Sequence, residues 1–328
     1  MRHRSISRVL VTDHVFKDLN VERAVLEPLG AELVEAPGVG EEDLIGAVEG
    51  ADALLVCFAQ VTAPVIRAAA ESGVKVIARY GVGYDNIDIE VATECGIPVT
   101  YVPDYCLDEV ADHTFALLLA LARDVVCAAQ SVERGGWAVP HGDVHRIRGQ
   151  RLAVIGAGGI GRRVIERAQP FGLAVVGFDP YLEHWDVPAR RAPSFADAVR
   201  EADMISLHAP LTAENHHLIN AGAIAAMERA PIIVNTARGA LVDLEAAVAA
   251  LDAGALSGIA LDVAESEPPP SDHPLRSHAR AILTPHMAFY SVEALAELQR
   301  RAAEEVARVL AGAPPDRPVN SEVVSTRK

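Results

Sequence analysis

Three side chains with complementary chemistry fall in the C-terminal third of the sequence: Arg238 in "VNTARGALVD", Glu267 in "LDVAESEPPP" and His286 in "AILTPHMAFYS". Arg238 offers a planar, two-pronged donor that matches a carboxylate. His286 can give or take a proton near neutral pH. A carboxylate such as Glu267 beside the imidazole favours its charged form. Together the three suit proton transfer at a small organic acid. Singly each has an ordinary reading: a salt-bridge arginine, a loop acid, a histidine that caps a strand.

The elements that must position them are strand ends. "AILT" reads as a short buried strand broken by Pro285, "PIIVNT" stops at Thr236-Ala237-Arg238-Gly239, and "SGIALDV" stops at Asp262. "MISLHAP" likewise ends at His208-Ala209-Pro210, "LAVVGFD" at Asp179, and "RLAVIG" runs into "VIGAGGIG". In a doubly wound sheet, ligands bind beyond the carboxyl ends of the strands. These polar groups should therefore share one sheet edge. The glycine loop fits G-x-G-x-x-G through Gly156, Gly158 and Gly161, with Gly159 and Ile160 opening the helix that follows. Gly158 would let a pyrophosphate approach backbone N–H groups at a helix N-terminus. Asp179 could accept hydrogen bonds from a ribose diol and would repel a 2′-phosphate. No arginine follows it directly, so NAD is expected rather than NADP. The ordinary alternative is a glycine-rich turn followed by a strand-capping aspartate.

The chain has 328 residues, enough for two domains; half are apolar and 23% are charged. Its formal net charge is -16, with no Lys/Arg block, which argues against nucleic acid or an anionic membrane as partner. Cys57, Cys95, Cys106 and Cys127 form no CxxC pair and read as free thiols, so no disulfide frame and no metal site are expected. The N-terminus lacks the features of a signal peptide, and "FALLLALA" is too short to span a bilayer. A cytoplasmic, soluble protein is the expectation. Strand-like and helix-like segments alternate over the first hundred residues and again from Arg151, predicting parallel sheets with helices on both faces. Between the two series, "LDEVADHTFALLLALARDVVCAAQSVE" reads as one long buried helix, followed by a Gly- and His-containing loop. "SVEALAELQRRAAEEVARVLAG" reads as a long amphipathic helix, and the tail after it as an ordinary terminus.

These motifs resemble the D-isomer-specific 2-hydroxyacid dehydrogenases. The resemblance runs from "RYGVGYDNIDIEVATECGIPVTYVP" through "EVADHT", "AVIGAGGIGRRV", "FDPYL", "ENHHLIN", "VNTARGALVD" and "LDVAESEPP" to "TPHMAFYS", about residues 75–310. "ENHHLIN", "DVAESEP" and "HMAFYS" look most like the C-terminal-binding-protein and D-lactate dehydrogenase branches. The resemblance implies a fold of two doubly wound parallel-sheet domains, Rossmann- or flavodoxin-like. The substrate domain would be discontinuous, with residues 1–105 and a C-terminal helix over 293–328 flanking an NAD domain over 106–292. It also implies roles. Arg238 would hold the substrate carboxylate and carbonyl, and Glu267 would support His286 as acid/base. Val82 and Gly83, with Arg79 just before them, would serve the substrate carboxylate. Asp262 would receive the nicotinamide carboxamide, while Thr236-Ala237 and Ala209-Pro210, next to His208, would line the cofactor. The long helix would build a homodimer.

Three positions depart from the family pattern: Asp112 where glutamate is usual, Ala264 where a larger residue is usual, and Phe289 where one branch carries tryptophan. Phe289 and Tyr290 beside the histidine favour an apolar 2-oxo acid over phosphoglycerate, glyoxylate or hydroxypyruvate. With no basic cluster and Lys328 closing the chain, no phosphate site or regulatory domain is expected. The other class open to this sequence is an NAD(H)-sensing interaction protein. It would be recognised by biological function that survives loss of turnover in an Arg238→Ala or His286→Ala variant.

Overall fold

The computed structural model describes residues 6–138 and 144–325; residues 139–143 of the Gly- and His-containing loop and the basic residues at the very N-terminus lie outside it. The chain divides into two compact units: Met1–Tyr105 with Ser291–Lys328, and Cys106–Tyr290.

The first unit is built on five parallel strands, β1 (Ser7–Val11), β2 (Ala31–Glu35), β3 (Ala53–Val56), β4 (Ile77–Arg79) and β5 (Val99–Thr100). Their order is β2-β1-β3-β4-β5. Leu10, Leu54, Val56, Ile77 and Val99 pack against Val65, Ile66 and Ala69 of helix Ala63–Ser72. Helix Val292–Leu310 packs against β3, β4 and helix Asn20–Leu26, burying Leu298, Ala302 and Val306. Its start is set by Ser291, whose hydroxyl accepts from the Ala294 N–H.

The tail after this helix is not an ordinary loose end. Val319 donates to the Val99 carbonyl at 2.7 Å, and the buried Asn320 binds Val99, Ile97 and Thr93 before a short helix, Ser321–Ser325. The composition of the tail hid this anchor, because its grip comes from one asparagine completing the edge of β5.

The second unit carries seven parallel strands: β6 (Arg151–Ile155), β7 (Ala174–Phe178), β8 (Arg190–Arg191), β9 (Met204–Leu207), β10 (Ile232–Asn235), β11 (Gly258–Leu261) and β12 (Ala281–Leu283). The order is β12-β11-β10-β9-β6-β7-β8. Side chains alternate between two cores, as the period-2 geometry of strands requires. Ala153, Ile155, Ile205, Leu207, Ile233 and Ile259 face one side. Leu152, Val154, Met204, Ile232, Val234 and Ala260 face the other, with Ala111, Phe115 and Leu118 over them. β12 is the outer strand and is half-buried along its length, where the sequence pattern suggested full burial.

The expected single helix after Leu107 is two, Leu107–Ala122 and Val125–Glu133, bent by 64°. The break falls at Asp124, which takes a left-handed φ of 55° and is the residue type that tolerates it. The uniform apolar run concealed this corner. Among the described residues no single helix is long and apolar enough to cross a membrane.

Candidate active site

The carboxyl ends of the second unit's strands carry the polar groups. The three motif glycines do not share one physical reason. Gly156 has φ 90°, and a Cβ there would lie 2.7 Å from the His208 carbonyl; at Gly161 it would lie 1.9 Å from the Gly156 oxygen. Both are required by the protein's own packing. A Cβ at Gly158 would meet nothing within 4 Å. That opening stands at the start of helix Gly159–Ala168, whose first N–H groups have no intrahelical acceptor. Space and donors there fit a phosphate.

Asp179, at the end of β7, ties this loop down: one oxygen accepts from Ala157 N at 2.9 Å, the other from Tyr181 N at 2.9 Å and Leu182 N at 3.2 Å. A carboxylate has about four lone-pair sites, so capacity remains for a ribose hydroxyl. A hollow of about 670 Å³ opens here, lined by Phe178, Asp179, Arg191, Ser194 and Phe195. Arg191 was not foreseen beside the acid. β8 pairs Arg191 with Gly177, and its guanidinium donates to the Asp179 and Leu182 carbonyls at 3.2 and 2.8 Å.

His208 follows β9, its Nε2 lying 2.6 Å from the buried Ser206 hydroxyl. Burial pushes its imidazole down to about 3, so the ring is neutral at the cofactor edge. Ala209 and Pro210 continue the turn. Thr236 meets Thr114 at 2.9 Å. The turn Thr236-Ala237-Arg238 is fixed from beneath by Asn235, fully buried, which accepts from Ala237 N and donates to the Arg238 carbonyl. Sequence reasoning missed Asn235, since an asparagine closing a strand carries no distinctive pattern. Gly239 then lies so close to the next loop that a Cβ would fall 2.0 Å from the Ala264 carbonyl carbon. Only glycine allows Arg238 to approach the segment that bears Glu267.

Glu267 and His286 meet directly, Oε2 to Nδ1, at 2.7 Å. The other Glu267 oxygen accepts from Ala264 N at 3.0 Å. Burial pushes the Glu267 carboxyl up, but the His286 ring and the Ala264 N–H outweigh it and hold the group below the ordinary carboxylate range. An ionised Glu267 requires the proton on Nδ1, leaving Nε2 as the ring nitrogen that Glu267 does not engage. His286 has φ 50°, a left-handed conformation uncommon for a side chain of this size.

What imposes that conformation is Asp262. Its backbone carbonyl accepts from His286 N at 2.7 Å. Its buried carboxylate accepts from Thr284 Oγ1 at 2.5 Å, Met287 N at 3.0 Å and Ala288 N at 2.8 Å. His113, from "EVADHT", lies 3.1 Å from the Thr284 hydroxyl and 3.5 Å from Asp262. Burial pushes the Asp262 carboxyl up, yet these donors hold it below the ordinary range and ionised. The role expected for Asp262 was a bond to the cofactor. In the structure its oxygens are largely taken by the turn that carries His286. Asp112, the shorter acid, binds Arg167 at 2.6 Å. Phe289 sets its ring edge-on to His286, 6.3 Å between centroids.

In the first unit the "RYGVG" turn leaves β4. Arg79 is buried against Gly81, donates to Asn86 at 3.3 Å and stacks over the Phe58 ring at 5.8 Å. Gly81 has φ 152°, and a Cβ there would sit 2.5 Å from the guanidinium, so the turn needs glycine. Tyr80 anchors it by donating to the buried Glu22 at 2.8 Å. Among the described residues, the N–H groups of Val82 and Gly83 donate to no protein acceptor.

Residues 115–288 match the family described as D-isomer specific 2-hydroxyacid dehydrogenase, NAD binding domain. Among curated proteins, a D-3-phosphoglycerate dehydrogenase of Methanocaldococcus jannaschii is 39% identical over 98% of this chain, which spans 61% of that relative's length. A glyoxylate reductase of Thermofilum pendens is 36% identical, covering 87% of this chain and 86% of its own. Among solved structures, D-lactate dehydrogenase from Aquifex aeolicus, complexed with NAD and lactic acid, is 27% identical. Its TM-score is 0.85, with 97% of this chain and 98% of that chain covered.

Proposed function

The chain belongs to the D-isomer-specific 2-hydroxyacid dehydrogenase family, and from that premise we propose that it is an NAD-dependent enzyme interconverting a small apolar 2-oxo acid and the D-2-hydroxy acid. The observation that carries the reading is the 2.7 Å His286–Glu267 pair, set on the same strand-end edge as a glycine loop whose Gly158 opens onto space. Bound NADH supplies hydride at C2 of the substrate. His286, held by Glu267, delivers a proton from Nε2 to the forming alkoxide. Arg238 clamps the carboxylate and stabilises the charge developing on the carbonyl oxygen. Asp179 would take the ribose diol of the bound cofactor.

The apolar preference rests on Phe289 beside His286. A phosphorylated 2-oxo acid is the second reading, favoured by the named activity of the 39% identical relative and by Arg79 beside the Val82-Gly83 turn. We also read helix Val125–Glu133, with Val125 and Val132 exposed, as a homodimer surface.

NADH oxidation by the purified protein should be followed with pyruvate, 2-oxobutyrate, 4-methyl-2-oxopentanoate, glyoxylate and 3-phosphohydroxypyruvate. Turnover highest with the apolar acids is expected. Turnover with the phosphorylated acid alone overturns the substrate assignment, and no turnover with any overturns the enzymatic reading.

A further inference from the structure

The segment between β9 and the Gly239 turn carries two adjacent histidines, His216 and His217, in "ENHHLIN". Neighbouring residues in regular structure point in divergent directions, so their rings do not ordinarily converge on one partner. Here they do. His216 Nε2 lies 3.5 Å from one oxygen of Glu265 and His217 Nε2 lies 3.3 Å from the other. The two rings are 4.0 Å apart and tilted by 32°. Among the described residues this is the group whose three metal-ligating side chains all bring ligand atoms within 4.8 Å of one another.

The backbone that achieves this is specific. His217 has a left-handed φ of 51°, which swings its ring beside its neighbour's. The conformation is held from both sides. Thr212 N donates to Asn215 Oδ1 and Asn215 Nδ2 to the Pro210 carbonyl, both at 2.7 Å. On the far side His217 N donates to the Ala240 carbonyl at 2.7 Å and Ile219 N to the Leu241 carbonyl at 2.9 Å.

Neither ring closes on the carboxylate as His286 does on Glu267 at 2.7 Å. His217 makes one long contact at 3.3 Å, and His216 stands 3.5 Å from the other oxygen. One ligand atom from each of the three residues lies within 4.8 Å of the other two, so a small adjustment places all three about 2.0–2.2 Å from one ion. Two imidazole nitrogens and a carboxylate suit zinc and its late first-row neighbours, and do not suit magnesium or calcium, which take oxygen ligands.

We propose that His216, His217 and Glu265 form a binding site for a divalent cation of the zinc class, distinct from the His286–Glu267 pair. The site joins the 212–220 segment to the loop that carries Glu267. Glu265 is two residues from Glu267, and the Ala264–Glu265 backbone is the surface against which Gly239, next to Arg238, is packed. An ion here steadies the loop that orients His286. This departs from the sequence expectation of no metal site, because adjacent histidines and a distant glutamate share no ligand spacing in the chain.

The test is calorimetric titration of tag-free, chelator-stripped protein with Zn²⁺, for the wild type and for His216→Ala, Glu265→Gln, their double variant and Glu267→Gln. Thermal midpoints with and without zinc give a second readout. One ion per chain is expected, weakened at least about tenfold by either single substitution and lost in the double variant. The zinc-dependent rise in midpoint should disappear in parallel. Glu267→Gln should bind zinc as the wild type does. The proposal is overturned if the wild type takes up no zinc, if the double variant binds it equally well, or if Glu267→Gln alone removes it. Both His216 and Glu265 are exposed, so their substitution leaves the core untouched, and far-UV circular dichroism verifies folding.

Discussion

Asp262→Asn is the perturbation that most directly tests how the site is built. The wild-type carboxylate divides its acceptors: Oδ1 serves Thr284 Oγ1 and Met287 N, and Oδ2 serves Ala288 N at 2.8 Å. An amide keeps one oxygen. If that oxygen stays with Thr284 and Met287, the new NH₂ group faces the Ala288 N–H, donor against donor, at a side chain only 1% exposed. A charge-assisted hydrogen bond is worth about 1.5–3 kcal/mol, and a buried donor left without a partner costs about 1–3 kcal/mol. The two overlap, so a net loss of roughly 2–4 kcal/mol is expected. For a unit of this size that lowers the melting midpoint on the order of 10 °C. The turn of Pro285–Ala288 then relaxes, and His286 leaves its left-handed conformation. Displacement of a catalytic group by about 1 Å costs about 10²-fold in rate.

The assay is a thermal melt followed by circular dichroism, together with kcat and KM for NADH and for the best 2-oxo acid. A lower midpoint with a fall in kcat is the expected result. An unchanged midpoint with a rise confined to the KM for NADH would refute the reasoning and return Asp262 to a bond with the cofactor. The pH dependence has a definite sign. The folded-state carboxyl is held below its ordinary value, so its stabilising contribution is complete above the ordinary aspartate range. It fades as pH falls through the lowered value, and this acid-side loss should be absent from the Asn variant.

Glu267→Gln should lower kcat by about 10²–10³-fold with little change in the KM for NADH, since the ring loses the partner that fixes its tautomer; stopped-flow single turnover measures it. Gly158→Ala should melt close to wild type yet bind NADH more weakly by fluorescence titration, because a Cβ there meets no protein atom, whereas Gly161→Ala should fail to fold stably. Asp179→Ala should raise the KM for NADH by about 10–150-fold, the equivalent of a charge-assisted hydrogen bond, and narrow the preference over NADPH. Val125→Asp with Val132→Asp should shift sedimentation from dimer to monomer; a dimer that survives places the contact elsewhere.

What was legible in the sequence is what strands and tight turns write locally. The alternation of strand-like and helix-like segments gave the parallel sheets, and the glycine loop gave the start of helix Gly159–Ala168 because a tight turn and a close packing each need a missing Cβ. Arg238, Glu267 and His286 could be nominated because their chemistry is unusual at strand ends. What was not legible is the framework that fixes them. Asp262, Thr284 and His113 meet through contacts that exist only once β11 and β12 lie side by side beneath helix Leu107–Ala122, while Asn235 grips its own turn through an ordinary strand-closing amide. Arg191 reaches Asp179 across a strand pair in the same way. Asp124 breaks a helix inside an apolar run because its tolerance of positive φ leaves no trace in hydrophobic periodicity.

The same distinction explains why Asp262 could be read in two ways. A buried acid after a strand fits a cofactor contact and a turn anchor equally well on composition. Counting acceptors shows the turn anchor directly, because two carboxylate oxygens receive three close donors from their own chain, with a histidine at 3.5 Å. As at Asp179, about four lone-pair sites leave room for one ligand contact, so the anchor and a cofactor contact are compatible. The anchor acts on chemistry through the one conformation it enforces, the left-handed turn that aims His286 at Glu267.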